Sequence, residues 1–363
     1  MSTTAPTTPA PDATERRSSF VLSPVLVTMV ALSLWGAWSL YSNQQVNFEV
    51  LGGAVALGGA AIWALWGAIA IGAIVLLQRY ARRPVWTIVL ALCWGGLAAT
   101  YFGGLANDAM STITQSASGA DSTVWTTGPV IEETIKAVGV IGLALVPVLR
   151  RFGPADGLFY GVLVGAGFQV VEDYVYTIVS AMEAGDSPWG GMLSTVVLRG
   201  GFGALSHLVW TGLLGAGIGW VASGGRHGRG LRILGAVGLF VLAVALHAAD
   251  DLFASNSQIA LTLAVDVLGL VILLVLLVRV QKSERRRLAA LADDHDGWGV
   301  VDRADVTEPH DRAGRRRERL ALRYAYAADQ FGPESRYARK AASRVGPGTP
   351  DDHDSPRRHQ PSH

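Results

Sequence analysis

Charged residues are scarce where a water-soluble protein needs them. Of the 30 Lys/Arg and 29 Asp/Glu in this 363-residue chain, 13 and 15 lie in the first 280 residues, against 17 and 14 in residues 281–363. A soluble domain is about a quarter charged, so the first part cannot clothe a water-exposed surface; the mean hydropathy of +0.33 agrees. There is one cysteine, Cys93, inside an apolar run, which excludes a disulfide framework and a thiolate metal centre. The net charge of +1 averages two chemically different regions and carries no nucleic-acid footprint, so no nucleic-acid partner is expected. No repeat of 20–50 residues is visible.

What the first 280 residues do contain is a series of apolar runs. A membrane helix needs about 20 mainly apolar residues, and qualifying runs lie near 20–41, 50–77, 86–104, 129–148, 157–179, 193–221, 231–253 and 259–279. The fold class expected is all-α, a polytopic membrane helix bundle of about eight transmembrane helices. The first run is longer than a secretory apolar core and reads as a retained span. Connecting segments alternate in basic content. Arg16/Arg17, Arg79/Arg82/Arg83, Arg150/Arg151, Arg226/Arg229/Arg232 and Arg279–Arg287 alternate with segments free of Lys and Arg at 42–49, 105–128, 180–192 and 254–258. Positive residues mark cytoplasmic loops, which places both termini inside a bacterial-type plasma membrane. The organisation expected is a polar N-terminal segment (1–19), a transmembrane domain (20–280) and a charged tail (281–363). In the tail, a helix is expected near 315–330; an amphipathic helix lying on the inner leaflet is one reading, and a solvated or disordered extension is the reading composition favours.

Ionised side chains at mid-membrane cost about 2.5–3.5 kcal/mol each on insertion scales and are usually functional. Here they gather in four successive runs. The fourth run opens with Glu132, Glu133 and Lys136; the fifth holds Phe168, Glu172 and Asp173; His207 interrupts the sixth; the seventh ends with His247, Asp250 and Asp251. The first three runs contain no Asp, Glu, His, Lys or Arg. Glu132 and Lys136 are spaced for a helical ion pair, which leaves Glu133 free. His247 lies one turn before Asp251, the spacing at which a carboxylate orients an imidazole. Counted at about 1.5 Å per residue, Glu133, His247 and Glu172 lie about 6–10 Å below the outer surface. His207 joins them only if Ser187–Leu198 is a separate interfacial or re-entrant piece and the membrane helix begins near Arg199.

Two imidazoles and two carboxylates allow two chemistries. In one, Glu172, His207 and His247 hold a divalent metal, zinc by donor type, and Glu133 is the base toward water. In the other, Glu133 activates water while the imidazoles stabilise an oxyanion without metal. A proton-coupled transporter or channel using the same Glu, His and Asp residues as a relay is the rival reading.

The order Glu-Glu-x-x-Lys at 132–136, Phe-x-x-x-Glu-Asp at 168–173, an isolated membrane His207 and His-x-x-x-Asp at 247–251 resembles the PrsW family of intramembrane proteases, relatives of the CAAX-processing and bacteriocin-immunity membrane proteases. The resemblance covers about residues 129–253. It implies an all-helical, metal-dependent peptidase that cuts a membrane-anchored protein near the outer surface, an anti-sigma-factor-like substrate in a signalling cascade. It gives the functional label to Glu132, Glu133, Glu172, His207, His247 and Asp251, with Asp173 and Asp250 as secondary candidates. The tail and Asp266 fall outside the pattern.

Overall fold

A computed structural model of the chain describes residues 23–78, 80–118, 122–147, 149, 151–224, 228–294 and 312–345. The polar segment 1–19 and the Pro/Gly/His-rich end of the tail lie outside the described residues. Those described form α1 (Pro24–Leu51), α2 (Gly53–Leu76), α3 (Val85–Cys93), α4 (Thr100–Ser118), α5 (Gly128–Ala144), α6 (Pro154–Glu183), α7 (Pro188–Val197), α8 (Ser206–Ala222), α9 (Arg229–Ser255), α10 (Ile259–Asp294), α11 (Arg312–Phe331) and α12 (Arg336–Val345), with no strand among them. A π-helical turn, Trp94–Ala99, joins α3 to α4, and a second, Leu198–Phe202, follows α7.

Local chemistry sets several boundaries. Ser23 caps α1 through its hydroxyl, which accepts from the Leu26 amide at 3.2 Å, and Pro24 follows with its φ already helical. Gly52 separates α1 from α2 at φ +77°, a conformation that favours glycine. Asp156 accepts from the Gly153 amide at 3.0 Å and opens α6 behind Pro154.

Among the described residues, seven stretches are long and apolar enough to cross a membrane: Pro24–Leu51, Gly53–Leu76, Val85–Ala117, Pro154–Glu183, Pro188–Ala222, Arg229–Ser255 and Ile259–Leu291. The expected eighth, at 129–148, is α5, which has 17 residues. At 1.5 Å per residue it reaches about 26 Å, short of a hydrocarbon core about 30 Å thick. Pro147 lies just beyond its end and disfavours helix in the residue before it. Two further boundaries differ from expectation. The segment 105–128 is helical as far as Ser118, continuing α4. The 193–221 run does divide, but the break falls at Gly203–Leu205, so the helix carrying His207 begins at Ser206 rather than near Arg199.

The chain clusters into two units, one of residues up to Leu77 with Arg83–Val280, the other of Gln78–Arg82 with residues from Gln281 on. In the first unit α6 and α8 occupy the middle. Glycines at 157, 161 and 165 of α6 lie against the carbonyls of Gly215, Thr211 and His207 on α8, and a methyl group at any of them would overlap that backbone. Small residues at four-residue spacing allow this approach, and it brings the first turn of α8 against Gln169 and Glu172. Glycines 95 and 96 in the first π turn approach the carbonyls of Val164 and Gly167 on α6 in the same way. Around this centre α1, α2, α9 and α10 leave Leu34, Trp38, Leu65, Ile69, Leu234, Val241 and Val267 exposed, an apolar belt suited to lipid. Arg83, one of the loop bases in the sequence, is buried and pairs with Asp156 at 2.8 Å beneath the ring of Phe159.

The second unit has its own small core, with Leu288 of α10, Ala321, Leu322, Ala325 and Tyr326 of α11, and Tyr80 and Ala81. Tyr324, Ala327 and Ala328 pack with Ala338 of α12. The helix expected near 315–330 is therefore present, packed into a mini-bundle instead of standing alone.

Candidate active site

Four helices supply the side chains singled out by the sequence, and the structure brings them together. Glu132, Glu133 and Lys136 come from the first turns of α5, Glu172 and Asp173 from α6, His207 from the first turn of α8, and His247 and Asp251 from the last turns of α9. A through-path relay, which would string such groups along the bundle, finds no support in this arrangement.

Lys136 is the hub. Its side chain has no exposed surface, and Nζ donates to Glu133 Oε1 (2.9 Å), Glu132 Oε2 (3.3 Å) and His207 Nδ1 (2.8 Å). The Phe168 ring caps the ammonium at 3.6 Å. Glu133 is thus not left free by the Glu132–Lys136 pair. Residues three apart on a helix are neighbours as surely as residues four apart, and Glu133 makes the shorter of the two bonds. Its second oxygen accepts from Thr211 at 3.2 Å. Both carboxylates of α5 are consequently fixed at both oxygens, because Asn107 of α4 donates to Glu132 Oε1 at 3.0 Å.

An ammonium can only donate, so His207 Nδ1 accepts and its ring proton sits on Nε2, 2.8 Å from Glu172 Oε2. Glu172 is in turn held by Arg199 Nη2 at 2.6 Å, while Arg199 Nε donates to Asp173. Arg199 belongs to the second π turn and lies over the Tyr176 ring at 4.3 Å. Gln169 donates to Asp173 at 2.7 Å and accepts from the His207 amide at 3.2 Å, tying α6 to the start of α8.

His247 is oriented as its spacing predicts, with Nε2 3.3 Å from Asp251 Oδ2. Trp210 stacks on its ring at 4.0 Å between centroids, and the two imidazoles stand edge to face at 5.0 Å. His247 Nδ1 approaches Glu133 Oε1 to 3.2 Å but out of line for a hydrogen bond, so this buried nitrogen has no hydrogen-bond partner.

Among the described residues, the donor atoms that come close enough to share one ion belong to Glu132, His207 and His247, all within 4.8 Å of one another. Two imidazoles and a carboxylate suit a zinc-type ion, and the unpartnered His247 nitrogen is what such a site provides. The carboxylate in that group is Glu132; Glu172, the donor expected from sequence, is engaged with Arg199 and His207. Ligation through His207 would exchange one of its present bonds, to Lys136 or to Glu172. A cavity of about 230 Å³ opens beside His207, walled by Gln169, Arg199, Trp210, Asp250, Asp251 and Thr262 among others.

Sequence reasoning overlooked Asn107, Gln169, Thr211 and the hub role of Lys136. Gln169 stands beside Phe168 and four residues before Asp173, and Thr211 stands four after His207, so helical spacing alone could have raised both. Asn107 lies in a segment read as loop and gave no such signal.

Neither the curated proteins nor the solved structures compared with the chain gave a match. A family model described as PrsW family intramembrane metalloprotease matches residues 83–279, more than half of the chain and every helix that contributes to the site, and the chain belongs to that family.

Proposed function

We propose that this chain is an intramembrane peptidase in which Glu133 activates water beside a Glu132–His207–His247 centre. The observation that carries the reading is the burial of Glu133 and Lys136 at 0% exposure, with His207 at 3% and His247 at 2%: Glu133 and His207 both bond the Lys136 ammonium, and His247 lies 3.2 Å from Glu133. Four buried ionisable groups are costly in an apolar bundle, and structural need does not account for them.

Glu133 acts as general base, its carboxylate aimed by Lys136 and Thr211 so that Oε1 faces His247. Asp251 holds the His247 ring, and Glu172, itself held by Arg199, sets the tautomer of His207. A divalent ion held by Glu132, His207 and His247 would supply Lewis-acid polarisation of the peptide carbonyl or of water. One observation favours a second, metal-free route: the Lys136 ammonium already places a positive charge among the same donors, where with the imidazoles it can stabilise an oxyanion. The substrate class that goes with this reading is a membrane-anchored protein cut near the outer surface, as an anti-sigma factor would be. Eight crossings, with α5 as the short one, and both termini in the cytoplasm of a bacterial-type plasma membrane complete it.

The test is cleavage of a membrane-anchored reporter by purified protein in proteoliposomes, with products located by mass spectrometry. Wild type is expected to cut, and Glu133→Gln and His207→Ala to leave the reporter intact. Undiminished cutting by both variants would remove the mechanism.

A further inference from the structure

Two carboxylates near the site take no part in the mechanism above. Asp250 on α9 is 8% exposed, and its Oδ1 is buried without a hydrogen-bond partner; Asp266 on α10 has both oxygens in that condition. Asp250 lines the cavity beside His207, together with Ser257 and Thr262, whose hydroxyls can accept hydrogen bonds. Asp266 stands one helical turn beyond Thr262 on the same face of α10. At about 30 Å³ per water, the cavity of about 230 Å³ holds roughly seven waters or one long side chain. The arginine on its wall, Arg199, is already engaged by Glu172 and Asp173, and Asp251 is engaged by His247. A buried carboxylate without a partner is expensive, and what is missing from this wall is a positive charge with hydrogen-bond donors.

We infer that this cavity is a subsite for a cationic side chain of the substrate, an ammonium or guanidinium received by Asp250 with Asp266 behind it. The inference rests on the peptidase reading and deepens it. A lysine or arginine seated there lays its own backbone beside His207, so the enzyme selects substrates with a basic residue next to the bond it cuts.

Binding is measured by saturation-transfer NMR on the full-length protein in lipid nanodiscs, with n-butylammonium and n-butylguanidinium as side-chain probes and n-pentanol as the neutral control. Wild type is expected to bind both cations saturably and to ignore the alcohol. Asp250→Asn is expected to weaken cation binding about tenfold, as loss of one charged hydrogen bond does, and Asp266→Asn to weaken it less. Equal signals from alcohol and ammonium, no cation binding, or displacement of the ammonium by an equal concentration of sodium would overturn the subsite; the wild-type comparison decides even if a variant fails to fold. The readout needs no cleavage, so an inactive wild type would sink the peptidase reading and leave this result standing.

Discussion

Ion pairs in the two units of the molecule differ in where they stand. In the C-terminal unit Arg285 meets Glu318 at 2.6 Å and Arg287 meets Asp329 at 2.8 Å, with 42% and 37% of the arginine side chains still exposed. Each is a pair between two neighbouring helical segments beside a small alanine and tyrosine core. In the membrane unit Lys136 and Glu133 have no exposed side-chain surface, and their network draws groups from α4, α5, α6, α8 and α9. The carboxylates of the C-terminal pairs, Glu318 and Asp329, have side chains only 9% and 6% exposed, so only one partner of each pair is solvated, and a solvated partner reduces what the pair contributes. Buried networks cost desolvation that attraction barely offsets. The contrast teaches that burial alone does not mark a site, since the Arg83–Asp156 pair is buried as well; what sets the Lys136 network apart is that it joins groups from five helices around one ammonium.

That contrast can be broken by substitution. The largest effect is expected from Glu133→Gln, which keeps the shape and most hydrogen bonds but removes the base. Cleavage should fall by about 10²–10⁴-fold, and more steeply than stability does, because Glu132 remains as a counter-charge to the Lys136 ammonium. Lys136→Met leaves two buried carboxylates without their counter-charge and should destabilise the membrane unit by about 3–5 kcal/mol, read from unfolding in mixed micelles. Asp251→Asn leaves the His247 ring less firmly oriented and should weaken divalent-metal affinity about 10–100-fold, measured by chelator competition. At the small end, Arg285→Ala in the C-terminal unit leaves the buried Glu318 carboxylate without that bond and should cost about 1–3 kcal/mol while leaving cleavage untouched. A loss of activity there as large as at Glu133 would erase the distinction.

Much of this was legible in the chain. Apolar run length and the placing of Glu, His and Asp in four successive runs announced a helical bundle with one polar cluster, because intramembrane charge is rare enough to mean something. The His247–Asp251 pair followed from helical spacing alone. Contacts between helices were not legible. Whether Lys136 serves Glu132 or Glu133, and which carboxylate lies nearest the imidazoles, depends on how α5, α6 and α8 are rotated against one another; the glycines of α6 fix only its approach to α8. The length of α5 also escaped, since apolar composition through residue 148 does not show that the helix stops at Ala144. The folded part of the tail escaped for a different reason. Its core is built from alanines and tyrosines among arginines, a pattern that reads as solvated until a partner helix covers one face.

The most direct test measures metal content and reporter cleavage on the same preparations of wild type and of Glu132→Ala, His207→Ala and His247→Ala. The account predicts a divalent ion in wild type, lost together with cleavage in all three variants. Full cleavage in any one of them, or metal that survives all three and disappears only with Glu172→Ala, would contradict it.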